Sequence, residues 1–383
     1  MKQTENKSGR SLFHRFFPIG VIIVCVALGV VIYLAYRGMK HGSVNDGSCP
    51  DQMIRDSALT SGLRQELEDL LTESNARGGT ALVMHTSSGN MLAACNLVYD
   101  SVSCSYRESH DVALHAPGSL FMPILLTAMY KDLGLDIDTG LIVPVGETIL
   151  KGSNGAGKLV QDREMRMGYV TLGEAMDNFS IVALARLLYD NYLGNEQGFA
   201  AMLDKISIVN SCPGYISVGS KRNKQTPEES KEGGYESKIL ETVTGYGVEL
   251  APLAVLGYYN SFVNEGKYVV PHFVKADTTH KVTKDVPVAI MEDLSITARN
   301  AKVISGVLER NAKHNYAPLP NGGELVAMKS ARVQVLGDET LRDCWSVGTI
   351  RVNGECYTCL VLVSGTQKKV DTQKFFGSFI GLL

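Results

Sequence analysis

Residues 244–274 read TGYGVELAPLAVLGYYNSFVNEGKYVVPHFV, and this stretch says more about the fold than any other part of the sequence. The run from Leu250 to Glu265 is mostly apolar and long enough for a helix, which we predict here. Glycines flank the run at Gly245, Gly247 and Gly266. Because glycine punctuates regular structure, we expect turns on both sides of this helix.

The segments around this helix change character along the chain. Two strands joined by a Ser-Ser-Gly turn are predicted before it, and β-rich runs are predicted after it. The predicted strands are Thr80–His85, Asn90–Cys95, Leu325–Met328, Cys344–Val352 and Tyr357–Val363, the further predicted helices are Ser119–Leu133, Leu172–Tyr192 and Ser295–Ala312, and the C-terminal tail is predicted to close the domain as a helix. Strands at both ends and helices between them predict an α+β, sandwich-like fold with a mostly antiparallel sheet flanked by helices.

The N-terminal part predicts a membrane anchor. Ile19–Ala35 is uncharged and, with its apolar neighbours, reaches the roughly 20 residues that cross a bilayer. We therefore expect a cytoplasmic tail (1–15), a transmembrane anchor (16–37), a tether and amphipathic helix (38–77), and one domain (78–383) on the outer side of a bacterial inner membrane. A cleaved signal peptide is the alternative, although Arg37 and Lys40 follow the apolar run where small residues are usual.

Composition excludes several classes of protein. Among 383 residues, 45% are hydrophobic and 20% are charged, as in ordinary globular proteins, which argues against a disordered chain. The formal net charge of -3, with scattered Lys and Arg, argues against a nucleic-acid partner. The polar stretch Ser217–Ser237 is predicted to be an exposed insertion.

Cysteines and histidines give no cofactor signal. No second cysteine pair or histidine pair stands at zinc-ligand spacing, so we expect neither a metal nor a cofactor. Cys95 and Cys104 flank a short loop and could form a disulfide bridge.

Three segments together resemble the transpeptidase domain of penicillin-binding proteins. Residues 244–274 are similar, almost residue for residue, to a glycine- and proline-containing block of that family, and ALVMHTSSGNMLAACNLVYD (81–100) is similar to its opening hairpin. HAPGSLFMP (115–123) looks like the segment around the family's acylated serine, which makes Ser119 the nucleophile position. The resemblance extends over roughly Gly78 to Leu383 and implies a β-lactamase-like fold acting on peptidoglycan.

The first motif of the family, S-x-x-K, is broken in this sequence. A serine hydroxyl is a weak nucleophile, so acyl transfer requires an adjacent base, which the motif's lysine supplies. Met122 stands at that position, and a thioether cannot carry the transferred proton. The usual activation of Ser119 is therefore missing. His115 is a weak candidate for a substitute base.

The other two motifs are altered as well. The S-x-N segment corresponds to Asn178–Ser180, where Asn178 and Ser180 are either substrate-binding groups or helix caps. The K-S-G segment corresponds to Lys329, Ser330 and Ala331, so a Cβ replaces the family's glycine on the oxyanion side. Lys329 could still hold an anion.

The resemblance leaves three functional hypotheses. We favour a non-catalytic family member that binds a peptidoglycan stem peptide, a β-lactam, or wall-synthesis or division proteins. The second hypothesis is an active D,D-transpeptidase or carboxypeptidase in which Lys329 or another lysine is the base. The third is a β-lactam or muropeptide sensor that signals through the membrane anchor.

Overall fold

The structure is a computed structural model that describes residues 57–109, 113–137, 140–152, 157–163, 165–206, 210–212, 216–218, 220–222, 235–273, 288–319, 323–335 and 337–380. The predicted anchor (16–37) lies outside these residues. None of the helices within the described ranges combines the length and the apolar character that a membrane span requires.

A six-stranded antiparallel sheet forms the centre of the domain, in the order β12-β13-β14-β1-β2-β3. Its strands are β1 (Gly78–His85), β2 (Met91–Asp100), β3 (Ser105–Glu108), β12 (Glu324–Val335), β13 (Asp338–Val352) and β14 (Glu355–Thr366). The first strand pairs with the last along its whole length. The predicted sheet built from both ends of the chain is therefore confirmed.

Helices cover both faces of the sheet because the side chains on each face of its strands are mostly apolar. The helices are α1 (Ser57–Ser74), α2 (Phe121–Leu133), α3 (Leu172–Asp177), α4 (Ile181–Tyr192), α5 (Glu196–Asp204), α6 (Tyr235–Val243), α7 (Pro252–Val263), α8 (Ala298–Asn315) and α9 (Gln373–Ile380). Helices α1 and α9 bury Leu63, Leu67 and Phe376 against one face. Helices α2 and α7 belong to a larger core on the other face.

Small strands complete the helical side of the domain. They are β4 (Ile142–Val145), β5 (Glu147–Lys151), β6 (Gly157–Gln161), β7 (Gly168–Thr171), β8 (Asn210–Cys212), β9 (Ile216–Val218), β10 (Ser220–Arg222) and β11 (Val248–Leu250). Strand β4 pairs with β7, and β5 pairs with β6. None of these strands was predicted, because each is only three to five residues long.

Four predictions need correction. The predicted helix over 172–192 is two helices, since Phe179 adopts a left-handed backbone with φ of 47° between them. The amphipathic helix before the domain is predicted to bury Leu59, Leu63, Leu67 and Leu70, but α1 buries Leu71 in place of Leu70. Cys95 and Cys104 do not form the predicted disulfide bridge, since Cys95 is buried while Cys104 is exposed in the β2–β3 turn.

The predicted insertion, Ser217–Ser237, is exposed less completely than expected. Its last residues begin α6, and Glu236 in the first turn of that helix is buried. Residues 223–234 of this stretch lie outside the described residues.

Candidate active site

Ser119 lies in a single 3₁₀ turn that leads directly into α2. Hydrogen bonds to carbonyl groups in the turn and just before it hold the turn in place. The Trp345 indole N–H donates to the Ala116 carbonyl at 3.1 Å, and the Tyr259 hydroxyl donates to the Leu120 carbonyl at 3.2 Å. Both donors are buried, so water does not compete for these bonds. The position of Ser119 is therefore set by the β13 strand and by α7.

Two glycines allow three segments to meet at this turn. Gly118 and Gly245 both have a left-handed backbone, with φ of 58° and 73°. A Cβ on Gly245 would collide with the carbonyl of Gly118, and a Cβ on Gly118 would collide with the side chain of Val333. Only glycine combines this backbone with such close approach. Residues 244–247 thus hold the Ser119 turn against β12.

Met122 is the second residue of α2 and is buried, with 1% of its surface exposed. It belongs to the core on the helical side of the sheet. Within the described residues, no hydrogen bond joins the Ser119 hydroxyl to another group. The hydroxyl therefore has no basic nitrogen in contact with it in this part of the chain.

His115 has a structural position. Its Nδ1 lies 2.7 Å from Oδ2 of Asp343, and its ring meets the Trp345 ring edge-on. Its backbone exchanges two hydrogen bonds with Leu250, at 3.1 and 2.9 Å. These contacts tie the segment before Ser119 to β11 and β13.

Lys329 points from β12 toward the helical side of the sheet and is buried, with 5% of its surface exposed. Its Nζ lies 3.2 Å from the centre of the Phe179 ring. Burial lowers the pKa of Lys329 to about 7, whereas contact with an aromatic face favours the charged amine. Within the described residues no carboxylate forms an ion pair with it. Phe179 thus occupies the place where a polar partner of this lysine would lie.

The two polar residues beside Phe179 are used as helix caps. Ser180 is buried and caps α4, accepting from the Ala183 N–H at 3.0 Å and donating to Asp162 at 2.7 Å. Asn178 is exposed at the C-terminal end of α3, and its amide donates to the Glu174 carbonyl at 3.4 Å. Of the two interpretations left open above, helix capping describes the observed contacts of Ser180.

The structure separates the predicted residues of the third motif. Lys329 and Ala331 point to the face on which the Ser119 turn packs, with a Cβ built on Gly118 lying 3.5 Å from the Cβ of Ala331. Ser330 points to the opposite face, where its Oγ lies 2.6 Å from the Ser346 hydroxyl and accepts from Tyr316 at 2.7 Å. Ser330 is therefore not part of the same site.

Strand β12 lies at the outer edge of the sheet, and neighbours occupy two of its backbone groups. The Asn311 amide donates to the Met328 carbonyl at 2.6 Å, and the Gln334 N–H donates to the Tyr246 hydroxyl at 3.1 Å. Asn311 comes from α8, and Tyr246 comes from the glycine-containing loop.

A pocket of about 580 Å³ opens beside Phe179. It is lined by Asp162, Arg163, Met165, Asp177, Asn178, Phe179, Ile181, Arg310, Asn311, His314 and Asn315. Neither Ser119 nor Lys329 contributes to it. Phe179 therefore links the two regions, because it contacts Lys329 and also lines this pocket.

Phe179, Asp162 and Tyr246 were not predicted as residues of the site. The sequence contains one indication that Phe179 has a role, since a bulky aromatic residue between two helix-capping residues is unusual in an exposed loop. Within the described ranges, no three His, Cys, Asp or Glu side chains converge as metal ligands would.

The family model described as penicillin binding protein transpeptidase domain matches residues 79–377. This chain belongs to the penicillin-binding protein transpeptidase family. Comparison with curated proteins gives no match. The family assignment agrees with the fold and with the position of Ser119 at the start of α2.

Solved penicillin-binding proteins share the fold at low sequence identity. The transpeptidase domain of penicillin-binding protein 3 from Burkholderia pseudomallei is 16% identical over 88% of this chain and 96% of its own, with a TM-score of 0.61. Penicillin-binding protein 2B from Streptococcus pneumoniae is 11% identical over 86% of this chain and 57% of its own, with a TM-score of 0.64. Penicillin-binding protein 3 from Mycobacterium tuberculosis, in complex with aztreonam, is 16% identical over 84% and 76%, with a TM-score of 0.59.

Proposed function

We propose that this chain is a non-catalytic penicillin-binding protein that acts in peptidoglycan synthesis or wall assembly by binding a stem peptide or a wall-synthesis partner. In this proposal the N-terminal segment anchors the chain in the bacterial inner membrane, and the transpeptidase-like domain lies outside. One observation carries the proposal: Met122, buried in the core, stands where the base for Ser119 is required.

The chemistry of acyl transfer supports this proposal. Attack on a carbonyl requires the Ser119 proton to pass to a base within hydrogen-bond reach, and a thioether does not accept it. Loss of a catalytic base alone commonly lowers the rate by several orders of magnitude. Lys329, the remaining amine of the three motifs, is covered by Phe179.

Labelling with a fluorescent penicillin tests the loss of catalysis. We expect no stoichiometric labelling of the purified full chain, while an active penicillin-binding protein is labelled under the same conditions. Ser119→Ala serves as the matched control, since it should look the same as the unmodified chain. Rapid labelling that Ser119→Ala abolishes would show that the serine is active.

The pocket beside Phe179 supports the peptide-binding part of the proposal. Its volume suits a short peptide, and it combines the Arg163 guanidinium with the side-chain amides of Asn178, Asn311 and Asn315. These groups complement a carboxylate and peptide bonds. Calorimetric titration with a synthetic stem pentapeptide should show binding that Arg163→Ala weakens, and no measurable binding would remove this part.

A slow enzyme that uses Lys329 as its base is the second candidate. The observation that favours it is burial, which lowers the pKa of Lys329 to about 7, so part of this amine is neutral near neutral pH. This candidate predicts release of D-alanine from a stem pentapeptide, abolished by both Ser119→Ala and Lys329→Met. No release from the unmodified chain would eliminate it.

A further inference from the structure

Two pairs of short strands form one continuous projection, which we call the hairpin arm. It comprises β4 and β5 on one side and β6 and β7 on the other. Gly146 and Asp162 join the two pairs, because each donates its backbone N–H to an oxygen of the other at 2.8 Å. The two strand pairs therefore adjoin at Gly146 and Asp162.

The arm is apolar on both faces, although only one face is covered. Leu150 and Val160 are buried in the core on the helical side of the sheet. On the outer face, Ile149 and Leu159 are cross-strand partners that remain 54% and 50% exposed. Tyr169, in the neighbouring pair, is 77% exposed. Contiguous exposed apolar side chains of this kind commonly mark an interaction site.

Positive charge accompanies this apolar face. Lys151 lies two residues beyond Ile149 on the same face of β5, and Arg163 and Arg166 lie exposed in the segment between β6 and β7. Glu147 lies on that face as well, two residues before Ile149, and its carboxylate accepts from the Gln161 amide at 2.7 Å. Within the described residues, none of the three cations forms an ion pair. The exposed charge on and beside this face is therefore predominantly positive.

The arm also offers unpaired strand edges. In the part of the chain that the structure describes, β5 and β6 pair with each other and with no further strand. A two-stranded ladder leaves half of the backbone N–H and C=O groups of each strand directed outward. An extended chain can pair with such an edge and place alternate side chains on one face.

We infer that the hairpin arm binds an extended segment of another protein in which apolar residues alternate with Asp or Glu. The inference rests on the proposed role in wall assembly, for which it names the chemistry of the partner. It does not depend on whether Ser119 is active.

Two other occupants fit the observations less well. A second copy of this chain would bring the same unpaired cations together, which opposes association. An anionic membrane surface shares the required charge, but it offers no backbone groups that could pair with the strand edges. The test includes results that would point to either of these two occupants instead.

A designed peptide tests the inference on the full chain. The probe is a short fluorescent peptide in which valine alternates with glutamate, and fluorescence anisotropy measures its binding. We expect saturable binding that Ile149→Ser combined with Leu159→Ser weakens roughly tenfold or more. Arg166→Glu should weaken it as well, and hydrogen exchange at β5 or β6 should slow when the peptide is bound.

Matched controls make the result specific to the arm. Val102→Ser removes an apolar side chain that is 91% exposed in the β2–β3 turn and should leave the affinity unchanged. A peptide with lysine in place of glutamate should not bind. The inference is overturned by absence of saturable binding, or by equal weakening with Val102→Ser. It is equally overturned if the arm variants affect only self-association or only binding to phosphatidylglycerol vesicles. Penicillin labelling of Ser119 would refute the proposed loss of catalysis without changing any of these results.

Discussion

Lys329 shows how a neighbouring aromatic side chain and burial together set the state of an amine. In this chain its ammonium group meets the Phe179 ring, and burial is the cause of its lowered pKa. An aromatic face solvates a cation less well than water or a carboxylate does. The charged form of Lys329 therefore destabilises the folded chain, by an amount that depends on pH.

The first prediction concerns that pH dependence. The pKa of Lys329 is about 7 in the folded chain and 10.5 in its ordinary state, so between these values the unfolded chain holds a proton that the folded chain has released. Stability should therefore rise with pH across this window, by at most ~1.4 kcal/mol per pH unit. In Lys329→Met this contribution should vanish, as measured by urea unfolding from pH 7 upward.

An exposed lysine provides the control for this experiment. Lys267, which is paired with Glu265 on the surface, should give the same pH profile as the unmodified chain when changed to Met. If Lys329→Met and the unmodified chain show parallel profiles, the lysine is charged throughout and Phe179 stabilises that charge fully.

Residue identity alone predicted some features of the site. The replacement of a lysine by Met122 is visible in the sequence because it occurs at a fixed spacing from Ser119 on one helix. The contact between Lys329 and Phe179 was not predictable, since it joins residues 150 positions apart through a left-handed residue. The separation of Ser330 from Lys329 follows from strand alternation, but it required knowing which face of β12 meets Ser119.

The element that differs most from its prediction is the helix expected over 172–192. Both halves have strong helical sequences, so their periodicity continues across the break. Ser180 ends that continuity because its hydroxyl caps α4 and also binds Asp162. Short-range periodicity does not report such a cap when the residues on both sides favour a helix.

The second prediction tests this cap. Ser180→Ala removes the acceptor for the Ala183 N–H and one of the donors to Asp162, which still accepts from the Gly146 and Val182 N–H groups, so it should cost about 2 kcal/mol of unfolding free energy. Thr297→Ala removes a simple cap of α8 and should cost about 1 kcal/mol. Chemical denaturation measures both, and equal losses would mean that the bond to Asp162 adds nothing.

The third prediction concerns the loop that holds the Ser119 turn. Gly245→Ala combines a left-handed backbone with a collision against the Gly118 carbonyl, so it should cost more than about 3 kcal/mol. Gly134→Ala is the matched control, because Gly134 has a similar φ of 64° with open space around it. It should cost about 1 kcal/mol. Similar losses in urea unfolding would show that the loop moves aside.

At the scale of the whole molecule, the two ends of the chain build one sheet. β1 lies between β14 and β2, and α9 packs with α1 on the same face. Sequence predicted the strands at both ends but not their order, because pairing between β1 and β14 leaves no local pattern. The small arm strands escaped prediction because they are only four or five residues long.

The fourth prediction concerns α9, which packs with α1 on this sheet. Phe376 in α9 is fully buried, so Phe376→Ala should cost about 3 to 5 kcal/mol and lower the midpoint of a single cooperative transition. Tyr169→Ala, on the exposed arm, should cost less than about 0.5 kcal/mol. A separate early transition in thermal unfolding of Phe376→Ala would instead mean that α9 detaches independently.

The edge position of β12 has a consequence for how this domain behaves at high concentration. A long strand with an unpaired edge can pair with strands of other molecules, and such pairing can lead to fibrils. Here Asn311 and Tyr246 block two backbone groups six residues apart, and register shifts interrupt the ladder near both ends of the strand. A visiting strand would find only a few consecutive positions to match, which protects the domain from amyloid-like growth along this edge.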